Sequence, residues 1–124
     1  MSREAKPIWH PMFLKGSDLE DKGDFRGAIK AYRKAAKDRD LGAQSNLGNL
    51  LDDKIKPARP REAVYWYRRA ARRGHWPAAA NLAVHYRNLG KPRWQLHWLK
   101  VAAELGDSDA PKEIRKLERE LARR

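Results

Sequence analysis

The feature that most constrains this chain is a set of three alanine pairs that recur at nearly equal spacing. The pairs stand at residues 35–36, 70–71 and 102–103, which are 35 and 32 residues apart. Seven residues after each pair comes another alanine, and four residues later an aliphatic residue. These positions are Ala43, Ala78 and Ala110, followed by Leu47, Leu82 and Ile114. Such a period predicts stacked structural units, each too small to bury its apolar surface alone.

Each unit is predicted to be a pair of α-helices. Within residues 61–73, apolar residues fall at i, i+3, i+4, i+7 and i+8, which is one helical face. They are Ala63, Trp66, Tyr67, Ala70 and Ala71. Pro60 before this segment and Gly74 after it are typical residues of a helix start and a helix stop. The partner helix is predicted over residues 77–88.

The same scheme accounts for both ends of the chain. Residues 12–19 and 26–37 are predicted as the first two helices, and residues 110–122 as a final helix with a polar outer face, as expected of a capping helix. The prediction is an all-α, right-handed α-solenoid of antiparallel helix pairs, with about three and a half repeats and seven helices. Residues 1–8 would be an N-terminal extension and residues 9–124 a single domain.

Two related repeat families show this pattern. Residues 12–32 resemble the tetratricopeptide repeat, with its Gly-Asp-aromatic turn at residues 23–25 and the tyrosine Tyr32. The next units resemble the Sel1-like repeat family, whose unit has the pattern Ala-xx-Trp-Tyr-xx-Ala-Ala-xx-Gly-xxx-Ala-xxx-Leu. In this chain it runs from Ala63 to Leu82. The resemblance covers roughly residues 9–120, and it implies an adaptor that holds partner proteins together, often in bacteria.

The inner, concave face of such a solenoid is lined by the first helix of each unit. Related tetratricopeptide modules use asparagine and basic side chains there to hold an extended peptide or its carboxylate, and the resemblance implies a similar role here. An asparagine amide offers both a donor and an acceptor, which suits a peptide backbone. The candidate partner-binding residues are Asn46, Asn49, Asn81, Arg87 and Asn88. The alternative is that these amides are solvated or cap a neighbouring helix.

The chain also carries a formal net charge of +12, from 28 basic and 16 acidic residues. That excess favours an acidic partner: nucleic acid, anionic lipid or an acidic protein. The basic residues are densest in residues 54–73, where arginine and tyrosine alternate in a way that suits phosphate contact and stacking. The candidate polyanion-binding residues are Lys54, Lys56, Arg59, Arg61, Tyr65, Arg68, Arg69, Arg72 and Arg73. The alternative is a solvated outer face.

Catalytic and metal-binding patterns are missing from the sequence. There is no cysteine, and the four histidines lack the i, i+4 spacing of a zinc helix. Acidic residues lie beside turns, where solvated charges are expected. We therefore expect no enzyme, no cofactor and no metal. No apolar run reaches the roughly 20 residues that span a bilayer, so a cytoplasmic protein without membrane contact is expected.

The tryptophans divide into two groups. Trp66 and Trp98 occupy equivalent apolar helix positions and are predicted to lie in the core. Trp76 and Trp94 adjoin proline-containing turns and are predicted to be partly exposed. Trp9 precedes the first helix and is predicted to fold over it.

Overall fold

A computed structural model describes residues 9–124, and within them the chain forms seven α-helices and no strand. The helices are α1 (Pro11–Asp21), α2 (Phe25–Lys37), α3 (Leu41–Asn49), α4 (Pro60–Arg72), α5 (Trp76–Asn88), α6 (Pro92–Leu105) and α7 (Ala110–Ala122). The predicted all-α fold is confirmed, and α7 has the bounds that its apolar periodicity predicts. The predicted N-terminal extension, residues 1–8, lies outside the described residues.

The helices form two layers. Each helix packs against the next along the chain, so that α1 pairs with α2, α3 with α4 and α5 with α6. The first helices also touch across repeats, α1 with α3 and α3 with α5, whereas the backbones of α2, α4 and α6 approach one another less closely within the described residues. Because the first helices lie closer together, they form the inner layer of a curved stack and the second helices form the outer layer.

The repeated alanines lie between these layers. Ala35, Ala70 and Ala102 are fully buried, and so are the alanines that follow them at positions 43, 78 and 110. A methyl side chain lets two helix backbones approach closely, and the larger side chains then fill the grooves between repeats. Burial of the alanine stripe accounts for its recurrence.

Each outer helix is followed by a residue in the left-handed backbone conformation. After α4 and α6 the residue is glycine, with φ of 91° at Gly74 and 115° at Gly106. After α2 the same position is Arg39, at φ 69°. A side chain in this conformation costs about 1–2 kcal/mol, so the first repeat carries strain that the others lack.

One element was not predicted. Residues Leu50–Lys54 continue α3 as a π-helical turn. Leu50 and Leu51 are buried in the core. The wider turn brings Asp52 to the inner layer, where its carboxylate meets His85 of α5 at 2.9 Å. The turn therefore couples the second repeat to the third.

The tryptophans follow the prediction with one adjustment. Trp66 is buried, whereas Trp98 is only partly buried. Trp76 and Trp94 are exposed, as predicted. Trp9 stacks on Phe13 of α1, with ring centroids 5.5 Å apart, which matches its expected position over the first helix.

Candidate functional site on the inner face

The ends of α1, α3 and α5 enclose a groove of about 550 Å³ on the inner layer. Its polar lining consists of Glu20, Asn49, Asp52, Asp53, Lys54, Tyr67, Asn81, His85 and Asn88. Two exposed aliphatic side chains, Val84 and Leu89, supply an apolar surface beside them. The groove thus combines amides, carboxylates and a small apolar surface.

Two of the asparagines are held by side-chain hydrogen bonds. The Tyr67 hydroxyl donates to Asn49 Oδ1 at 2.6 Å, and Asn81 Nδ2 donates to Ser45 Oγ at 3.1 Å. Among the described residues these bonds leave the nitrogen of Asn49 and the oxygen of Asn81 without a protein partner. The groove lining therefore includes one amide with an unbonded donor and one amide with an unbonded acceptor, the two kinds of group that bind a peptide backbone.

The tyrosine that holds Asn49 stays protonated. Burial raises the pKa of the Tyr67 hydroxyl well above its usual value, and the carboxylates of Asp52 and Asp53 raise it further. The hydroxyl consequently remains a hydrogen-bond donor at neutral pH. This fixes the orientation of the Asn49 amide, with its oxygen bound to the Tyr67 hydroxyl.

His85 and Asp52 form the rigid wall of the groove. The His85 ring is buried, with Nδ1 at 2.9 Å from Asp52 Oδ2. The ring also packs edge-on against Tyr86, with centroids 5.1 Å apart. The carboxylate orients the imidazole, and this pair links α5 to the π-helical turn.

The groove is electronegative although the chain is strongly basic. Glu20, Asp52 and Asp53 face one lysine, Lys54, whose ammonium lies 3.9 Å from Asp53. The C-terminal ends of α1 and α5 add partial negative charge at the same place. The expectation that the acidic residues are solvated turn charges fails for Glu20 and Asp52, which are partly buried, because three helix ends converge there.

The predicted partner-binding residues are divided by the fold. Asn49, Asn81 and Asn88 lie in the groove. Asn46 lies outside it and donates to the Tyr32 hydroxyl at 3.3 Å. Arg87 lines a different groove, between the α5–α6 turn and α7. Three of the predicted asparagines thus share the groove, and the predicted arginine lies apart from them.

Tyr32 is a second buried hydroxyl of the inner layer. It donates to Glu20 Oε1 at 2.8 Å while accepting from Asn46. Burial raises its pKa to about 12, and the hydrogen bond to Glu20 contributes. Sequence reasoning missed the Glu20 position, since Glu20 and Tyr32 lie on different helices and no local pattern joins them.

The predicted polyanion-binding residues are also separated. An exposed group lies on α4: Arg61, Tyr65, Arg68, Arg69 and Arg72, with Arg73 directly after the helix. Lys54 belongs to the inner groove, and Lys56 lies beside Asp24 and Arg26 in a shallow depression. Arg59 faces Glu62 at 3.9 Å. Only the α4 group forms one surface.

The described residues contain neither a metal-binding cluster nor a membrane-spanning helix. Between residues 9 and 124, no three or more His, Cys, Asp or Glu side chains are grouped so as to hold a metal ion. None of the seven helices is long and apolar enough to cross a membrane.

Comparison with known proteins gives a match at the level of solved structures. No protein-family model matches the chain, and no curated protein matches it. The chain is similar to the crystal structure of a Sel1 repeat protein from Oxalobacter formigenes, with 31% sequence identity and a TM-score of 0.65. The match covers 83% of this chain and 45% of that protein, so this chain spans less than half of its relative's length.

Proposed function

The chain belongs to the Sel1-like repeat family, and we propose that it is a non-catalytic adaptor that binds a partner protein through the groove of its inner face. The observation that carries the proposal is the pair of fixed amides. Asn49 offers its amide nitrogen as a donor, while its oxygen is bound to Tyr67. Asn81 offers its amide oxygen as an acceptor, while its nitrogen is bound to Ser45. The backbone carbonyl and amide groups of an extended partner segment satisfy the donor and the acceptor.

The charge of the groove specifies that segment further. Because Glu20, Asp52 and Asp53 outnumber Lys54, a lysine or arginine side chain of the partner gains charge-assisted hydrogen bonds there. The net charge of the chain favoured an acidic partner, but the local charge at this site favours a basic one. Val84 and Leu89 supply apolar contact for the aliphatic part of such a side chain.

The arrangement of His85 supports binding rather than catalysis. A histidine–aspartate pair activates a nucleophile only when the second ring nitrogen reaches a hydroxyl or thiol. In the described part of the chain, no serine, threonine or cysteine lines the groove, and the Tyr67 hydroxyl there donates to Asn49. The buried ring instead packs against Tyr86, and the pair stabilises the groove wall.

The experiment is capture of partners from a native lysate on the immobilised chain, with nuclease present. The variant Val84→Arg places bulk and positive charge in the groove without removing a hydrogen bond, since Val84 is exposed. We expect it to reduce partner recovery at least tenfold. The matched control is Leu14→Arg on α1, another exposed aliphatic residue outside the groove, and it should retain recovery within about twofold.

A second variant tests the amides themselves. Asn49→Ala combined with Asn81→Ala should reduce recovery of the same partner, while Asn46→Ala should not, because Asn46 lies outside the groove. Circular dichroism establishes that each variant is folded. Full recovery by both folded groove variants would exclude the groove as the binding site.

A further inference from the structure

Basic residues recur in register with the repeats on the outer layer. When the repeats are aligned on their alanine pairs, two positions are basic in all three copies. The first ladder, nine residues before each pair, is Arg26, Arg61 and Arg93. The second ladder, two residues before each pair, is Arg33, Arg68 and Lys100. Because equivalent positions of a solenoid line up along its axis, each set forms a row across α2, α4 and α6.

Charge is therefore sorted between the layers. Helix α2 contains five basic residues and no acidic one, and α4 contains four basic residues against Glu62. The inner helix α1 contains one lysine against three acidic residues. The basic surface of α4 noted from the sequence is thus one part of a larger outer surface to which α2 contributes equally.

The ladder charges are largely uncompensated. Arg33 forms an ion pair with Glu62. The other five ladder residues are exposed, and none has a carboxylate within 4.0 Å among the described residues. Closely spaced like charges repel one another and oppose folding, so a linear partner of opposite charge gains affinity by neutralising them.

Flat rings lie between the two ladders. Tyr65, half exposed, stands four residues after Arg61 and three before Arg68, and the Arg69 guanidinium lies 5.5 Å from its ring centroid. The equivalent residue of α6 is His97, which is exposed and has the ring of exposed Trp94 at 6.0 Å. Cations that meet phosphates, with rings between them that stack on bases, are the two components of single-strand recognition.

We propose that the outer face of α2, α4 and α6 binds single-stranded nucleic acid. The two ladders contact phosphates, and Tyr65 and His97 stack on unpaired bases. A duplex hides its base faces and gains nothing from these rings, so the single strand is the favoured ligand. This surface lies on the layer opposite the inner groove and does not depend on the function proposed for that groove.

The test is fluorescence anisotropy of the full chain with a labelled oligouridylate of about 20 nucleotides. Five phosphate contacts, from the ladder residues without a carboxylate partner, predict that the logarithm of affinity falls with the logarithm of salt concentration with a slope of about −3.5. The same oligonucleotide length in duplex form should bind more weakly. Absence of binding to the oligouridylate at about 50 mM salt, or equal affinity for the duplex, would overturn the proposal.

The decisive variant reverses the first ladder as Arg26→Glu, Arg61→Glu and Arg93→Glu. Its matched control is Lys112→Glu, Lys116→Glu and Arg119→Glu on α7, which makes the same change in net charge at exposed positions. We expect the ladder variant to weaken binding at least tenfold and the control to stay within about threefold. An equal loss in both would show that net charge alone attracts the oligonucleotide and would contradict the ladders.

Two additional measurements distinguish nucleic acid from other polyanions, and the outer face from the inner groove. Tyr65→Ala should weaken oligouridylate binding by about tenfold and leave binding of anionic phosphatidylserine vesicles unchanged. A loss of vesicle binding that matches the loss of oligonucleotide binding would contradict base stacking. Val84→Arg should leave oligouridylate affinity intact, and a tenfold loss would show that the two surfaces are not separate.

Discussion

The ring of Tyr67 lies so close to the backbone of Gly48 that a Cβ at position 48 would stand 2.5 Å from a ring carbon. Gly16 and Tyr32 repeat this relationship in the first unit, also at 2.5 Å. In the third unit the corresponding residues are Ala83 and Leu99, which are buried in one cluster. Alanine therefore occurs at this position only in the unit that lacks the tyrosine ring. The side chains at these two positions set how closely the two helices of a unit approach.

Gly48→Ala should lower the free energy of unfolding by about 2 kcal/mol through overpacking, although alanine favours helix formation. In a Tyr67→Leu background, which imitates the third unit, the same change should cost at least about 1 kcal/mol less. Urea unfolding of the four proteins of this double-mutant cycle measures the difference. Additive effects would show that the glycine is not required by the ring.

Arg39→Gly should stabilise the chain by about 1 kcal/mol, because glycine adopts the left-handed conformation without a steric penalty. Gly74→Arg, the reverse change at the equivalent position of the second unit, should destabilise by a similar amount. Thermal unfolding of both variants provides the check. Movement of the two melting temperatures in the same direction would refute the assigned conformation.

Ala71→Leu should destabilise the chain by about 1–3 kcal/mol, because Ala71 is buried between packed helices and additional volume forces them apart. Ala122→Leu is the control, since Ala122 is exposed at the end of α7 and should change stability by under about 0.5 kcal/mol. Chemical denaturation distinguishes them, and similar stabilities of the two variants would mean that Ala71 does not pack as described.

Stability should fall in alkaline solution because of the buried tyrosines. The pKa of Tyr32 is about 12 in the folded chain and about 10 when unfolded, so the unfolded chain loses its proton first. The stabilising contribution is intact below about pH 10 and is lost as pH rises toward 12. Tyr32→Phe should show a shallower decline of unfolding free energy across that interval. An identical decline in both proteins would mean that Tyr32 is solvated.

The sequence predicts the helices well because their signals are local. Proline and glycine mark the ends of α4, and the alanine stripe marks the face that is buried. The π-helical turn was not predicted, because the wider turn is stabilised by a distant contact. Asp52 and His85 are 33 residues apart, and no local pattern connects them.

The candidate site could be predicted only in part, because it too depends on contacts between residues that are distant in the sequence. Periodicity alone places Asn49 and Asn81 on the inner layer, but it cannot distinguish them from Asn46, whose amide bonds to Tyr32. The negative charge of the groove arises where three helix ends converge. On the outer layer, the basic residues of α2 lie outside the densest basic segment, and their correspondence with those of α4 and α6 follows only from alignment of the repeats.

Nuclear magnetic resonance titration tests most directly whether the chain presents two faces of opposite charge with different ligands. A short lysine-containing peptide should shift the side-chain amide signals of Asn49, Asn81 and Asn88 and leave the backbone signals of Arg61 and Arg68 unchanged. The oligouridylate should give the opposite pattern. Both ligands shifting the same set of signals, or the groove amides failing to respond to the peptide, would contradict the account.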